Sequence, residues 1–205
     1  MRIVFGNQKG GVGKSTLCIM LANYATLIKK RAVLIMDMDF QKSIDERRQE
    51  DNDDSKGIMP YEVLPIETTD YPHYAEQLKN VDDIIMIDLP GKIDDESLIP
   101  ILQDADYVIC PFDYEKSVFS STVTFARLVK YFDKNKQIFF VPNRFKQSIN
   151  YDLKGKVDAE LSKLGTVTKP ITDRVTLKRI NTFEINDEQK RVVEEVFDFI
   201  FNTIK

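Results

Sequence analysis

Apolar residues fall along this chain in two kinds of run. Ile3-Val4-Phe5, Ala32 to Met36 and Ile84 to Ile87 are short and uninterrupted, without the polar alternation of a half-exposed strand, and so predict strands covered on both faces. Ala105 to Pro111 and Gln137 to Arg144 read as further strands, the first closing on proline. Other segments carry their apolar residues at helical spacing. Residues 15–29 predict a first helix and residues 117–134 another, with Val118, Phe125, Leu128, Val129 and Phe132 on one face. The last helix is marked most sharply. Asn186 supplies its cap, Asp187 and Glu188 stand in its electropositive first turn, and Val192, Val193, Val196, Phe197, Ile200, Phe201 and Ile204 form its stripe. This alternation of strand and helix predicts an α/β fold, a doubly wound and mostly parallel sheet flanked by helices. The polar run 50–57 reads as a loop inside that unit rather than as a linker, and no internal repeat is present.

With 205 residues the chain is long enough for one domain with a substantial core and short for two, so residues 1–205 are expected to form a single domain. No apolar stretch approaches membrane-spanning length, and a cytoplasmic protein is expected. Cys18 and Cys110 lie in apolar surroundings and read as small buried residues of a reducing compartment. Without a Cys-x-x-Cys pair, and with His73 the single histidine, an all-protein metal site is unsupported. The net charge of −4 does not itself point to nucleic acid. Its distribution leaves more room: Lys116, Arg127, Lys130, Lys134, Lys136, Arg144 and Lys146 outnumber the acids between Pro111 and Asn150.

The chemistry concentrates in residues 7–16, Asn-Gln-Lys-Gly-Gly-Val-Gly-Lys-Ser-Thr, placed between the first strand and the first helix. Gly10, Gly11 and Gly13 let backbone N–H groups close around an anion, and Val12, Lys14, Ser15 and Thr16 lead into a helix whose N-terminus favours negative charge. Such a phosphate loop puts Lys14 on the β and γ phosphates of a nucleotide and the Ser15 hydroxyl on Mg2+. Two other strands end in acid, at Asp37-Met38-Asp39 and at Asp88-Leu89-Pro90-Gly91. Strand C-termini are where open α/β sheets bind ligands, so three strand ends can converge on one phosphate site.

Gln8 stands where the common phosphate-loop pattern has glycine, and Lys9 adds a second lysine. In this the segment resembles the deviant Walker A motif of the ParA/MinD group of P-loop ATPases, with Asn7-Gln8 most similar to the ParA partition branch. The resemblance implies that Lys9 reaches the partner's ATP in a nucleotide sandwich homodimer. Asp37 to Ser43 resembles the family's second motif, with Phe40 in place of proline, and Asp88 to Gly91 its Walker B. By resemblance Asp39 positions the attacking water, Asp37 supports the magnesium and lysine network, and Asp88 holds magnesium through water. Asn143 and Arg144 match the place of the family's adenine contact, and Pro170 to Arg174 its adenine-flanking loop.

These likenesses imply a short ParA-type ATPase without an N-terminal helix-turn-helix domain. Such a protein dimerises with ATP, binds DNA without sequence preference, is nucleoid-associated in that state, and is stimulated by a ParB-like centromere-binding partner. Lys154, Lys156, Arg174, Lys178 and Arg179 are the candidate DNA contacts. A MinD-like positioning ATPase on a membrane or protein scaffold is the alternative, although Glu194, Glu195 and Asp198 make the last helix a poor match for anionic lipid, so no membrane is expected. An ATP-dependent ligase of the dethiobiotin synthetase type is a further alternative, for which the pairing of Lys9 with Asp37-x-Asp39 is not expected.

Overall fold

The uninterrupted apolar runs become the centre of one sheet. The computed structural model describes residues 1–54, 59–92 and 95–204. Its strands are β1 (Arg2–Phe5), β2 (Val33–Asp37), β3 (Glu62–Pro65), β4 (Ile84–Asp88), β5 (Tyr107–Phe112), β6 (Gln137–Pro142) and β7 (Thr166–Val167). All pair in parallel, in the order β3-β2-β4-β1-β5-β6-β7. Every residue of β4 is buried, as a strand covered on both faces requires. The two edges are short and partly exposed, and β3 ends in Pro65, which has no N–H to offer a further strand.

The helices are α1 (Lys14–Asn23), α2 (Ser43–Asp54), α3 (Tyr71–Gln77), α4 (Leu98–Asp104), α5 (Lys116–Phe132), α6 (Lys154–Leu161) and α7 (Asp187–Thr203). They divide the apolar residues into two layers. On one face of the sheet, Leu17 and Met20 of α1 pack with Val193, Val196, Phe197 and Ile200 of α7. On the other, Leu98 and Ile101 of α4, Val118 and Phe125 of α5 and Val157 of α6 do the same. The stripe of α7 is therefore core. Asn186 caps this helix in a reciprocal box with Gln189, each side chain bonding the other's backbone N–H. The first helix runs on from α1 as a π-helical turn, Tyr24–Ile28.

The sequence reading of residues 50–57 as a loop is corrected in part. Residues 50–54 are the last turn of α2, and 55–57 lie outside the described residues. This helix has no apolar stripe to announce it. Asp37 and long-range polar contacts hold it instead: Arg47 donates to the Ile180 carbonyl at 2.7 Å, and Thr182 donates its N–H and hydroxyl to Asp51 at 2.7 and 2.8 Å.

From β1 the chain winds to one side through β2 and β3, returns to β4, and crosses to β5 on the other flank of β1. The reversal opens a crevice at the C-terminal end of β1, where ligands of open α/β sheets bind.

Candidate functional site

Strand register brings the acidic ends together. Asp88 lies opposite Phe5 on β1 and opposite Asp37 on β2, so both carboxylates stand beside the loop that leaves β1. That loop is pinned at its root by Asn7, which is fully buried. Its Nδ2 donates to the Pro111 carbonyl at 2.8 Å and to Thr122 Oγ1 at 2.9 Å, while its Oδ1 accepts the Lys9 N–H at 3.0 Å. Spacing alone gives no hint of this role.

Residues 10–16 wrap the start of α1. Gly13 precedes the helix with φ +95°, a left-handed conformation that glycine adopts without strain, and a Cβ there would lie 2.3 Å from Asn143 Nδ2. No side chain caps α1 and no acid stands in its first turn, so its first N–H groups keep their partial positive charge. Lys14 is 6% exposed, and its ammonium forms no ion pair or hydrogen bond among the described residues. A nearly buried ammonium over free helix N–H groups is a receptor for an anion. Val12 is buried, whereas Lys9, Gly10 and Gly11 are exposed at the rim. Gly91 comes back against the loop, with a Cβ there only 3.6 Å from the Gly10 Cα and 3.9 Å from Lys14 Nζ.

Ser15 Oγ donates to Asp88 Oδ2 at 2.5 Å, while Oδ1 of the same buried carboxylate has no hydrogen-bond partner. Burial pushes the Asp88 pKa up to about 7, against the Ser15 hydrogen bond and the Lys14 charge, and Asp37 and Asp39 add to the rise. An orphaned carboxylate oxygen beside a serine hydroxyl is an all-oxygen donor set that suits a hard cation such as Mg2+, which keeps several waters and takes the rest of its shell from phosphate. Among the described residues no cluster of three or more His, Cys, Asp or Glu could hold a metal by itself.

Asp37 is fully buried and differently engaged. Its Oδ2 accepts the N–H groups of Ile44 and Asp45 at 2.9 and 3.0 Å, and its Oδ1 that of Asp39 at 3.3 Å, so its carboxylate receives the N-terminus of α2. Burial raises its pKa, and those three N–H groups together with Lys42 oppose the rise. Asp39 follows in a turn at the mouth of the cleft, its carboxylate accepting the Gln41 N–H at 3.0 Å. Phe40, at the turn's tip, is 64% exposed.

Beyond the phosphate loop the crevice continues between Ser15, Thr16, Asn143, Arg144 and the segment 172–180. Asn143 is 5% exposed, and its amide already serves the protein: Nδ2 donates to the Val12 carbonyl and Oδ1 accepts the Arg144 N–H, both at 2.9 Å. One amide hydrogen and one lone pair remain for a ligand. Arg144, with φ +55°, is exposed and borders both parts of the cleft. Thr172, Asp173 and Arg174 line it, as do Arg47 and Lys178, which brings two of the DNA candidates to the nucleotide cleft. Pro170 is half-buried and is not among the lining residues. Lys154 lies against Asp158 and over the Tyr114 ring at 5.3 Å. Lys156 and Arg179 are exposed.

Residues 3–184 match the family model described as the CobQ/CobB/MinD/ParA nucleotide binding domain. No curated protein sequence matches. Among solved structures, the chain is similar to a putative plasmid partition protein from Borrelia burgdorferi bound to AMPPNP, at 24% identity and a TM-score of 0.77 over 99% of both chains. It is also similar to a chain of the MinC:MinD cell division protein complex of Aquifex aeolicus, at 18% identity and a TM-score of 0.71 over 100% of this chain and 97% of that one. The pNOB8 ParA bound to nonspecific DNA matches at 18% identity and a TM-score of 0.62 over 99% of both. At these identities the likeness establishes a shared fold.

Proposed function

The chain belongs to the CobQ/CobB/MinD/ParA nucleotide-binding family, and from that premise we propose that it is a Mg2+-dependent ATPase of the ParA partition type. The observation that carries the nucleotide part is Lys14, an almost buried ammonium at an uncapped helix N-terminus with no ion pair to a protein carboxylate among the described residues. Triphosphate is the ligand that satisfies both.

In this reading residues 10–16 hold the phosphates through backbone N–H groups, and Lys14 bridges the β and γ groups. Ser15 and Asp88 hold Mg2+, which when bound draws charge off the phosphate oxygens. Asp39 orients water at the γ-phosphate from the mouth of the cleft, and Asp37 keeps the Asp39 turn and α2 in place. Transfer of a phosphoryl group to water needs little beyond such positioning and charge stabilisation. Lys9, exposed at the rim, is free to reach a second copy's nucleotide, so the ATP-bound form is a homodimer. The dimer then binds DNA non-specifically and meets a ParB-like partner that stimulates hydrolysis.

The DNA step has its own test. With a non-hydrolysable ATP analogue the protein should bind duplexes of unrelated sequence alike, log affinity falling against log salt by about 0.9 per phosphate neutralised. ADP should abolish it. An analogue-bound protein without duplex affinity at low salt would leave a protein or membrane scaffold as the working surface.

A further inference from the structure

The turn that carries Asp39 ends in an uncommon backbone conformation. Lys42 has φ +48°, in the left-handed region where glycine is the usual occupant. A lysine kept there is held by its surroundings. Its N–H closes the turn onto the Asp39 carbonyl at 2.9 Å, and its carbonyl accepts the Glu46 N–H at 2.9 Å, the first bond of α2. Its side chain crosses to the end of β3, where Nζ donates to the Ile66 carbonyl at 2.6 Å and pairs with Glu67 at 3.1 Å. A longer bond, 3.4 Å, reaches the Asp37 carbonyl.

That anchor is firm. Ile66 is 4% exposed and donates its own N–H to the Asp37 carbonyl at 3.1 Å. The next residue but one, Thr68, is 5% exposed and accepts the Ser97 hydroxyl at 2.6 Å, which ties the same strand end to the segment that follows Gly91. The turn beyond β2 and the segment beyond β4 therefore share one support.

We propose that Lys42 is a positioning residue. By binding the Ile66 carbonyl and Glu67 it locks the 39–42 turn and aims the Asp39 carboxylate into the phosphate end of the cleft. The proposal rests on the ATPase reading for its effect on turnover, but the lock itself is a property of the free protein. Lys42→Gly permits the backbone conformation and removes the tether. Lys42→Asn, which also tolerates the left-handed region but keeps a Cβ, should speed exchange alike and so separates the tether from the backbone freedom that glycine adds. Lys42→Arg keeps a long cationic donor.

Amide hydrogen exchange on the nucleotide-free protein reads the lock. In Lys42→Gly the amides of residues 39–42 should exchange roughly tenfold faster, with α2 and β3 unchanged. In single-turnover hydrolysis Lys42→Gly should slow the chemical step on the order of tenfold at unchanged ATP affinity, since a small misplacement acts on the transition state more than on binding. Lys42→Arg should recover most of that rate. In an Asp39→Ala background Lys42→Gly should add nothing, which a general loss of structure would not reproduce. Unchanged exchange across the turn, or the same tenfold loss on top of Asp39→Ala, would overturn the proposal. A wild-type protein that binds no ATP would instead remove the ATPase reading, and the exchange result would still decide the lock.

Discussion

At the phosphate end of the cleft the charged groups are sealed in, with Lys14 6% exposed and Asp37 and Asp88 not exposed at all. At the base end Arg144 and Arg174 stand in solvent on loops and Lys178 at the end of a 3-10 turn, Val175–Lys178. The first set is fixed by strand register and helix ends, and the second by loops that run from β6 and β7 toward α7. Buried charges feel their neighbours through little water, whereas exposed ones are screened. The same substitution should therefore cost far more at one end than at the other.

Lys14→Ala should have the largest effect. Removing the buried ammonium leaves the phosphate loop without its only buried charge, and ATP affinity should fall on the order of a hundredfold or more, the scale of breaking a buried ion pair. Titrating a fluorescent ATP analogue against the folded variant checks this, and near wild-type affinity would erase the contrast between the two ends.

Asp88 tests the same burial without a ligand. Its folded pKa is raised from the ordinary 3.8 to about 7, so between those values the folded chain binds more protons than the unfolded one, and this carboxyl costs the protein stability as pH rises. Asp88→Asn removes the titration. Thermal melts of the nucleotide-free protein should show the variant more stable than wild type at pH 8, by at most about 4 kcal/mol, with the gap closing toward pH 4. Parallel pH profiles would show that Asp88 ionises as an exposed carboxylate does. Asp198, whose pKa Lys29 and Tyr24 hold down, contributes the opposite slope equally to both proteins.

The smallest effect belongs to the base end. Arg174→Glu should weaken ATP only a few-fold, and less at high salt, as expected for a screened surface charge. Isothermal titration at two ionic strengths measures it. A loss as large as that of Lys14→Ala would mean that the base end is sealed when nucleotide binds.

The two ends also differ in how much of them the sequence discloses. In the proposed function residues 10–16 hold phosphate through their own backbone, so a short motif carries the chemistry, and Asp37 and Asp88 end apolar runs that read as strands. The base end depends on residues brought from far apart: Arg47 from α2, Asn143 from the end of β6 and Lys178 from the segment before α7. Asn143 shows the limit well. Its side chain suits a base edge, yet its Nδ2 already donates to the Val12 carbonyl, which only the folded chain places within reach. α2 escaped for a related reason, since polar contacts rather than an apolar face hold it. β3 and β7 are too short and too exposed at the sheet edges to leave a pattern.

The central claim is that this cradle is half of a nucleotide-dependent dimer. Analytical ultracentrifugation of the wild type and of Lys9→Ala, each with Mg2+ and either ADP or a non-hydrolysable ATP analogue, tests it directly. The account predicts a dimer only for the wild type with the analogue, and a monomer for Lys9→Ala even though it still binds the analogue. A wild-type mass that is the same with both nucleotides, or a Lys9→Ala protein that dimerises as well as the wild type, would contradict it.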